Sequence, residues 1–236
     1  MGKVALVSRD VNHWDLSGYT QRIAEICDEH NVETILYSLH TLHLGNGQWQ
    51  TTHDMIFGKS KKIKTVILEA GNLDGVETRV EVWHRNKKIP HVHFRYFAKS
   101  SDDEAKKEKL VNDFDQRVIR EQALLICGEL NVVKTIRGKR GTVEDQYKFM
   151  KKLKTCDVDI ILAPAHTAMK RYECVDKKRA FSEGRTVISV WSKDNVRGYE
   201  PHTPWQVFRN GEDLTNEVEE IQNPIKERSD IRIGIF

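Results

Sequence analysis

The sequence predicts an α/β fold in which mixed sheets carry helices on their outer faces. Two patterns support this prediction: strands alternate with helices in the second half of the 236 residues, and hairpin-like pairs of strands occur elsewhere. No linker rich in proline, glycine or serine divides the chain, and no change in composition marks a boundary. Residues 1–236 are therefore predicted to form a single domain.

In the first half, short apolar or β-rich runs accompany one helical segment. Apolar side chains recur at helical spacing over residues 17–30, which predicts a helix. The predicted strands cover residues 4–7, 33–37, 65–68, 78–83 and 92–97, with a hairpin turn at 85–88 between the last two. The polar stretch 45–62 contains the turn pattern Gly45-Asn46-Gly47 and is predicted to be a loop.

The second half contains the alternation that indicates helices packed on a sheet. Its predicted strands cover residues 123–126, 158–162, 186–191, 205–208 and 231–235. Helices are predicted at 143–154, where Thr142 and Asp145 have the spacing of an N-terminal cap, and from 167 or 168 toward 183.

Two connecting segments complete the predicted elements. The charged residues 101–109 predict a surface loop or lid, followed by a short amphipathic piece at 113–120. Asn210-Gly211 is typical of a tight turn between strands.

Composition indicates a soluble globular protein, because 39% of residues are apolar and 31% are charged. The N-terminal residues show no leader pattern, and no run approaches the roughly 20 apolar residues of a membrane span. The four cysteines are widely scattered, so neither a disulfide framework nor a zinc site is expected. We therefore expect a reduced, cytoplasmic protein with no cofactor, no metal and no membrane partner.

Two basic clusters bear on nucleic-acid binding, at residues 59–64 and at Arg137-Gly138-Lys139-Arg140. Either could contact phosphates. However, no aromatic residues interleave them, as they would in a groove for single strands, and the net charge is only +3. The clusters are predicted to be solvated loops, and a nucleic-acid contact through 137–140 is the weakest of the functional alternatives.

Cys127 is the first candidate for chemistry, because it ends the apolar run Leu124-Leu125-Ile126. A cysteine on a buried strand is more often a small core residue than a nucleophile. Gly128, however, permits a sharp turn out of the sheet, and strand ends are where open α/β sheets bind ligands. Both interpretations of Cys127 remain open at this point.

Lys99 and Glu69 also end strand-like runs. An ammonium at the position of Lys99 could stabilise an oxyanion or lower a thiol pKa, although an ordinary surface lysine is an equal alternative. A partly buried carboxyl at Glu69 with a raised pKa would be a competent general base, although a solvated strand-end carboxylate is more common.

These residues, taken in order, resemble the nitrilase, or carbon–nitrogen hydrolase, superfamily. That family has a strand followed by a lysine and a later strand that ends in a nucleophilic cysteine. The matching segments are Tyr96-Phe97-Ala98-Lys99, Leu125-Ile126-Cys127-Gly128-Glu129, Asp159-Ile160-Ile161-Leu162-Ala163-Pro164, Arg179-Ala180-Phe181-Ser182-Glu183, and Val187-Ile188-Ser189-Val190-Trp191 with Asn195 and Gly198. The order of elements agrees from Lys3 to about Asn210, and this order is more specific than any single motif.

The resemblance implies a four-layer α-β-β-α sandwich and a site in which a glutamate, a lysine and a cysteine act together. Cys127 would attack an amide or nitrile carbon, Lys99 would stabilise the charged intermediate, and a glutamate would transfer protons and activate water. The family glutamate usually ends the second strand, but residues 34–40 end without a carboxylate. Glu69 is then either a displaced substitute or a residue at the edge of the core.

Two further residues are predicted to contact substrate. Glu129 would contact the substrate or else hold the turn that follows the nucleophile. His166 follows a strand end and would line the pocket, or else cap a helix or lie on the surface.

Two functional hypotheses follow. The first is a thiol-dependent, amidase-like hydrolase that cleaves a carbon–nitrogen bond of a small amide or nitrile through a covalent intermediate on Cys127. The second is a catalytically impaired nitrilase-fold protein that binds a ligand or a protein partner, since the family glutamate is missing near Leu39 and His40. The family commonly pairs subunits, so a homo-oligomer is one of the alternatives for the oligomeric state, which the sequence leaves open.

Overall fold

The structure is a computed structural model that describes residues 2–10, 15–39, 42–43, 48–71, 78–87, 89–99, 101, 103–166, 168–192 and 203–236. The α-helices are α1 (Thr20–Glu29), α2 (Gln48–Lys59), α3 (Glu104–Asn112), α4 (Phe149–Thr155) and α5 (Tyr172–Phe181). The strands are β1 (Lys3–Ser8), β2 (Val32–Tyr37), β3 (Leu42–His43), β4 (Thr65–Gly71), β5 (Thr78–His84), β6 (His91–His93), β7 (Val118–Ile119), β8 (Gln122–Leu124), β9 (Lys134–Thr135), β10 (Val143–Glu144), β11 (Ile160–Ala165), β12 (Thr186–Trp191), β13 (Trp205–Arg209), β14 (Glu212–Asp213), β15 (Glu219–Ile221) and β16 (Arg232–Ile235).

Most strands belong to two mixed sheets. The first has the order β15-β16-β1-β2-β4-β5-β6, with β3 paired to β4, and its strands β1, β2 and β4 run parallel. The second has the order β14-β13-β12-β11-β8-β7, and its strands β8, β11 and β12 run parallel. Strands β9 and β10 form a separate antiparallel pair. Both sheets are parallel at their centres and antiparallel at their edges.

The two sheets pack face to face, and side-chain alternation along β1 shows how. Val4 and Leu6 belong to the core between the sheets, whereas Ala5 and Val7 belong to the core under the first pair of helices. Successive side chains on a strand point to opposite faces, so each central strand buries both faces. Trp205 of the second sheet completes the inter-sheet core.

Helices cover both outer faces. Ile23 of α1 and Phe57 of α2 pack in the core of the first sheet. Leu110 of α3, Phe149 of α4 and Phe181 of α5 pack in the core of the second sheet. The layers therefore run α-β-β-α, and the four-layer sandwich implied by the resemblance is confirmed.

The predicted loop at 45–62 is wrong over residues 48–59, because α2 (Gln48–Lys59) occupies them. Ile56 and Phe57 are buried, and so are the polar residues Thr52 and His53. The sequence appeared loop-like because half of the buried face is polar. His53 satisfies one ring nitrogen by a 3.1 Å hydrogen bond with the carbonyl of His84.

The predicted loop or lid at 101–109 is also wrong in part, because α3 occupies Glu104–Asn112. Asp103 caps this helix, since its carboxylate accepts a 2.9 Å hydrogen bond from the Ala105 N–H. Leu110 anchors the helix to the core, while most of its other residues are charged.

The predicted helix at 143–154 begins later than expected. Val143 and Glu144 pair with β9, and α4 starts at Phe149. The Asp145 carboxylate accepts hydrogen bonds of 2.7 Å from the N–H groups of Phe149 and Met150, so Asp145 rather than Thr142 caps the helix. In the same way, α5 starts at Tyr172 rather than at 167 or 168.

Other predicted elements are confirmed. Strands β5 and β6 form the expected hairpin, although β6 covers only His91–His93. Asn210 and Gly211 both have positive φ, 49° and 82°, in the tight turn between β13 and β14.

No helix among the described residues combines the length and apolar character needed to cross a membrane.

Candidate active site

The carboxyl ends of parallel strands from both sheets meet at one edge of the sandwich. Ser8 at the end of β1 donates a 2.6 Å hydrogen bond to the carbonyl of Trp191 at the end of β12. Leu39, after β2, donates its N–H to the carbonyl of Ala165, at the end of β11, at 3.2 Å. Ser192 donates to the Leu39 carbonyl at 3.0 Å. These contacts fix the relative position of the strand ends that carry the candidate residues.

Glu69 and His166 contact each other across this edge. The Nε2 atom of His166 lies 3.0 Å and 3.2 Å from the two carboxylate oxygens of Glu69. The Glu69 side chain is 4% exposed and that of His166 is 17% exposed. A charge-assisted contact of this length, shielded from water, holds the imidazole in one orientation.

Cys127 lies beside the end of β11, beyond the last residue of β8. The N–H of Leu125 donates to the carbonyl of Leu162 at 2.9 Å, and the N–H of Cys127 donates to that of Pro164 at 3.0 Å. This parallel pairing places the Cys127 thiol next to His166, which follows β11. Both the imidazole and the backbone N–H of His166 form hydrogen bonds with the sulfur.

The surroundings of Cys127 and His166 favour the charged forms of both side chains. Burial by itself would raise the pKa of the Cys127 thiol. The hydrogen bonds and charge of His166, together with the charge of Arg95, outweigh burial, so the pKa lies below that of an ordinary thiol. Burial by itself would lower the pKa of His166, but the contacts with Cys127 and Glu69 raise it to about 9. Both shifts favour a thiolate beside an imidazolium relative to an isolated cysteine and histidine.

Arg9 adds a buried positive charge near the Glu69 carboxylate. It follows β1, is fully buried, and donates hydrogen bonds to the carbonyls of Asp10 at 2.8 Å and Leu39 at 3.3 Å. Burial lowers the pKa of the guanidinium to about 10, while the nearby charge of Glu69 acts in the opposite direction. The attraction between Arg9 and Glu69 favours the ionised carboxylate that contacts His166.

Gly128 makes the sharp turn that follows Cys127. Its φ is +88°, and a Cβ atom there would lie 2.2 Å from the carbonyl oxygen of Ala98. The turn therefore packs directly on the backbone of the residue before Lys99. The fold thus brings the segment of Lys99 to the turn after Cys127, and the Lys99 side chain is exposed.

Comparisons with known proteins give a likeness of overall shape only. No family model matches the chain, and no curated protein matches it. A glutamine-dependent NAD(+) synthetase from Cytophaga hutchinsonii is 10% identical, with a TM-score of 0.45, over 90% of this chain and 40% of that one. The C. elegans NitFhit protein is 8% identical, with a TM-score of 0.47, over 100% of this chain and 60% of that one. This chain thus spans less than two thirds of either protein.

Glu129 is fully buried, and its contacts favour the turn-holding alternative over a contact with substrate. Its carboxylate accepts hydrogen bonds from the N–H of Tyr96 at 2.9 Å and from the N–H of Ile126 at 2.8 Å. The buried guanidinium of Arg117 forms an ion pair with it at 2.9 Å. Glu129 therefore ties the segment that leads to Lys99 to the segment that leads to Cys127.

Two other motifs of the resemblance do not contribute to this edge among the described residues. The Arg179 guanidinium, on α5, lies 5.9 Å from the centre of the Phe208 ring, and Glu183 is exposed. Asn195 and Gly198 fall outside the described residues. Among the residues that the structure describes, no group of three or more His, Cys, Asp or Glu side chains is arranged to hold a metal ion.

Sequence reasoning assigned His166 to the pocket wall and overlooked Arg9. His166 immediately follows β11, which is the parallel neighbour of the strand leading to Cys127. Neighbouring positions just beyond two parallel strands lie side by side, so this register could have indicated the pair. Arg9 follows the buried run of β1, where a charged residue that stays buried requires a partner.

Proposed function

We propose that the protein is a thiol-dependent, amidase-like hydrolase that cleaves a carbon–nitrogen bond through a covalent intermediate on Cys127. The observation that carries this proposal is the continuous set of hydrogen bonds from Cys127 through His166 to Glu69. A nucleophile beside a base that a third group orients is the arrangement that activates serine and cysteine nucleophiles in many unrelated folds.

In the first step the Cys127 thiolate attacks the carbonyl carbon of the amide and forms a carbon–sulfur bond. The carbonyl electron pair moves to oxygen and gives a tetrahedral oxyanion. As the carbon–nitrogen bond breaks, the His166 imidazolium donates its proton to the leaving nitrogen. The products of this step are an amine or ammonia and a thioester on Cys127, with His166 neutral.

In the second step a water molecule replaces the sulfur. Neutral His166 accepts a proton from this water as the oxygen attacks the thioester carbon. Collapse of the second oxyanion breaks the carbon–sulfur bond, releases the carboxylic acid and restores the thiolate beside the imidazolium. Glu69 keeps the imidazole in the required orientation throughout and stabilises its positive charge.

Lys99 is proposed to stabilise the oxyanion in both steps. The contact between Gly128 and Ala98 supports this role, because it brings the lysine-bearing segment to the turn after the nucleophile. Glu129 is proposed as a positioning residue, since it bonds the backbone on both sides of this contact.

We also propose that the chain is related to the nitrilase superfamily. The order of its motifs and the four-layer sandwich support this relationship. The proposed chemistry departs from what the resemblance implies in one respect: His166, rather than a glutamate, would exchange protons with the substrate, and Glu69 would act through His166. The missing carboxylate at the end of β2 is consistent with this change.

Trapping of the covalent intermediate tests the proposal. Mixing the protein with a series of primary amides and activated esters, followed by acid quenching and intact mass spectrometry, should show an acyl adduct on Cys127. Cys127→Ala should give no adduct and no turnover. Cys156→Ala should behave like wild type, because Cys156 is another partly exposed thiol outside the site.

The alternative of a catalytically impaired binding protein predicts the opposite result. It expects neither adduct nor turnover with any member of the series, even though the protein is folded. That result, or an adduct that persists in Cys127→Ala, would overturn the proposed hydrolase.

A further inference from the structure

A cavity lies at the opposite end of the sandwich from Cys127. Its volume is about 840 Å³, and its lining includes His84, the last residue of β5, and Arg120 in the turn between β7 and β8. His84 pairs with Thr65 at the start of β4, whereas Glu69 lies near the end of that strand. At about 3.3 Å per residue, Glu69 is roughly 13 Å away along β4. This cavity is therefore separate from the candidate active site.

We propose that this cavity, called here the basic cavity, binds a phosphate-bearing ligand about the size of a nucleotide. The cationic side chains that line it are Lys61, Lys64, Arg85, Lys87 and Arg120. The only carboxylate among its described lining residues is Asp115, which already pairs with Lys152. Lys64 pairs with Glu33 at 2.7 Å, so the net positive charge of the cavity comes from Lys61, Arg85, Lys87 and Arg120. Lysines and arginines are the side chains that bind phosphate oxygens most strongly, arginine in a bidentate manner.

Local contacts and backbone geometry position three of the positive charges. Arg85 donates to the backbone carbonyls of Phe57 at 2.8 Å and Ile63 at 2.9 Å, which fixes its guanidinium. Lys87 Nζ lies 3.1 Å from Nε2 of His91. Arg120 has a φ of +58°, an uncommon conformation for a residue with a side chain.

Two of these charges, those of Lys87 and Arg120, act together with His91 on the buried imidazole of His84. Its ring centre lies 5.6 Å from that of His91, and its Nδ1 lies 3.3 Å from the Thr65 hydroxyl. Burial, followed by the charges of His91, Arg120 and Lys87, lowers the pKa of His84 to about 4. Three cationic or protonatable groups thus repel positive charge at one point, and a bound anion would relieve that repulsion.

The size and lining of the basic cavity favour a small ligand over nucleic acid. Its volume is within the range of ligand pockets, roughly 300–1,000 Å³, and exceeds what a single phosphate group fills. No Phe, Tyr or Trp is among the described residues that line it, so it offers no platform on which bases of a single strand would stack. The ligand would combine phosphate groups with an organic portion.

Calorimetric titration of the full chain with ATP and with inorganic tripolyphosphate tests this proposal at 150 mM salt. Wild type should bind both probes saturably at one site. The double variant Lys87→Gln, Arg120→Asn should weaken binding at least tenfold, because it removes two of the converging charges. Asparagine at position 120 tolerates the positive φ. Lys87→Gln alone, on an exposed turn, should show a smaller loss in the same direction.

The matched control is Lys139→Gln, Arg140→Gln, which removes the same charge from the basic cluster at residues 137–140. It should change the affinity for ATP less than twofold. Saturating ATP should also leave the alkylation rate of Cys127 unchanged. The proposal is overturned by an absence of saturable binding, by equal weakening in both double variants, by binding of a 20-nucleotide single strand in preference to ATP, or by protection of Cys127. None of these outcomes depends on hydrolytic activity.

Discussion

Replacing His166 by alanine is expected to reduce kcat/KM for amide hydrolysis by about 10²–10⁴-fold, the usual contribution of a general acid–base group. The variant lacks the proton donor for the leaving nitrogen and the base that activates water. It also loses the imidazole hydrogen bond and the imidazolium charge that favour the Cys127 thiolate, although the backbone N–H of residue 166 remains. Steady-state hydrolysis of the best amide from the trapping series measures this loss, and added imidazole should restore part of it.

Glu69→Gln separates the proposed roles of Glu69 and His166. The amide side chain can still orient the imidazole but no longer stabilises its charge, so the loss should be smaller than for His166→Ala. Glu81→Gln is the matched control, because Glu81 is equally buried and is bonded instead to Arg79 and Trp83. A fully active His166→Ala together with an inactive Glu69→Gln would show that the glutamate itself is the base.

Gly128→Ala is expected to destabilise the protein by about 2–5 kcal/mol, from a positive φ that disfavours alanine and from overpacking. The new Cβ would lie 2.2 Å from the carbonyl oxygen of Ala98, which is backbone and cannot rotate away. Relief of this clash must move the segment that carries Lys99 or the turn that follows Cys127. Urea unfolding measures the stability change, and the folded fraction should hydrolyse amides more slowly than wild type.

Gly138→Ala is the matched control for this prediction. Gly138 also has a positive φ, +80°, but nothing lies within 4 Å of the position of its Cβ. It should lose only the conformational part, about 1–2 kcal/mol. Equal stability of the two variants would mean that the close approach of Gly128 to Ala98 contributes nothing, and the proposed position of Lys99 would lose its support.

The strands that are buried on both faces could be predicted well from the sequence. Strand β12 occupies the predicted residues 186–191, because each of its residues is buried and the run is accordingly apolar. Helices α2 and α3 could not be predicted in the same way. Each presents few apolar residues to the core, and their buried faces include polar side chains such as His53 and Lys107, whose burial depends on tertiary contacts.

The candidate site shows a similar division. Cys127, Lys99 and Glu69 could be singled out because each ends a strand-like run, and strand ends are a local property of the sequence. The contact of His166 with Glu69 could not, since it joins residues 97 positions apart. The ion pair of Glu129 with Arg117 likewise depends on packing. It favours the predicted role of Glu129 in holding the turn over the predicted contact with substrate.

The pH dependence of Cys127 alkylation tests the central claim most directly. Iodoacetamide labelling, followed by mass spectrometry of the separate cysteine peptides, gives the midpoint of each thiol in one sample. Cys127 should have a midpoint below that of an ordinary thiol, because His166 lowers its pKa. Burial and Asp115 raise the pKa of Cys156, which provides an internal reference with the opposite shift. In His166→Ala the Cys127 midpoint should move upward, since burial then dominates. A wild-type midpoint at or above that of Cys156, or one unchanged by His166→Ala, would contradict the proposed thiolate–imidazolium pair.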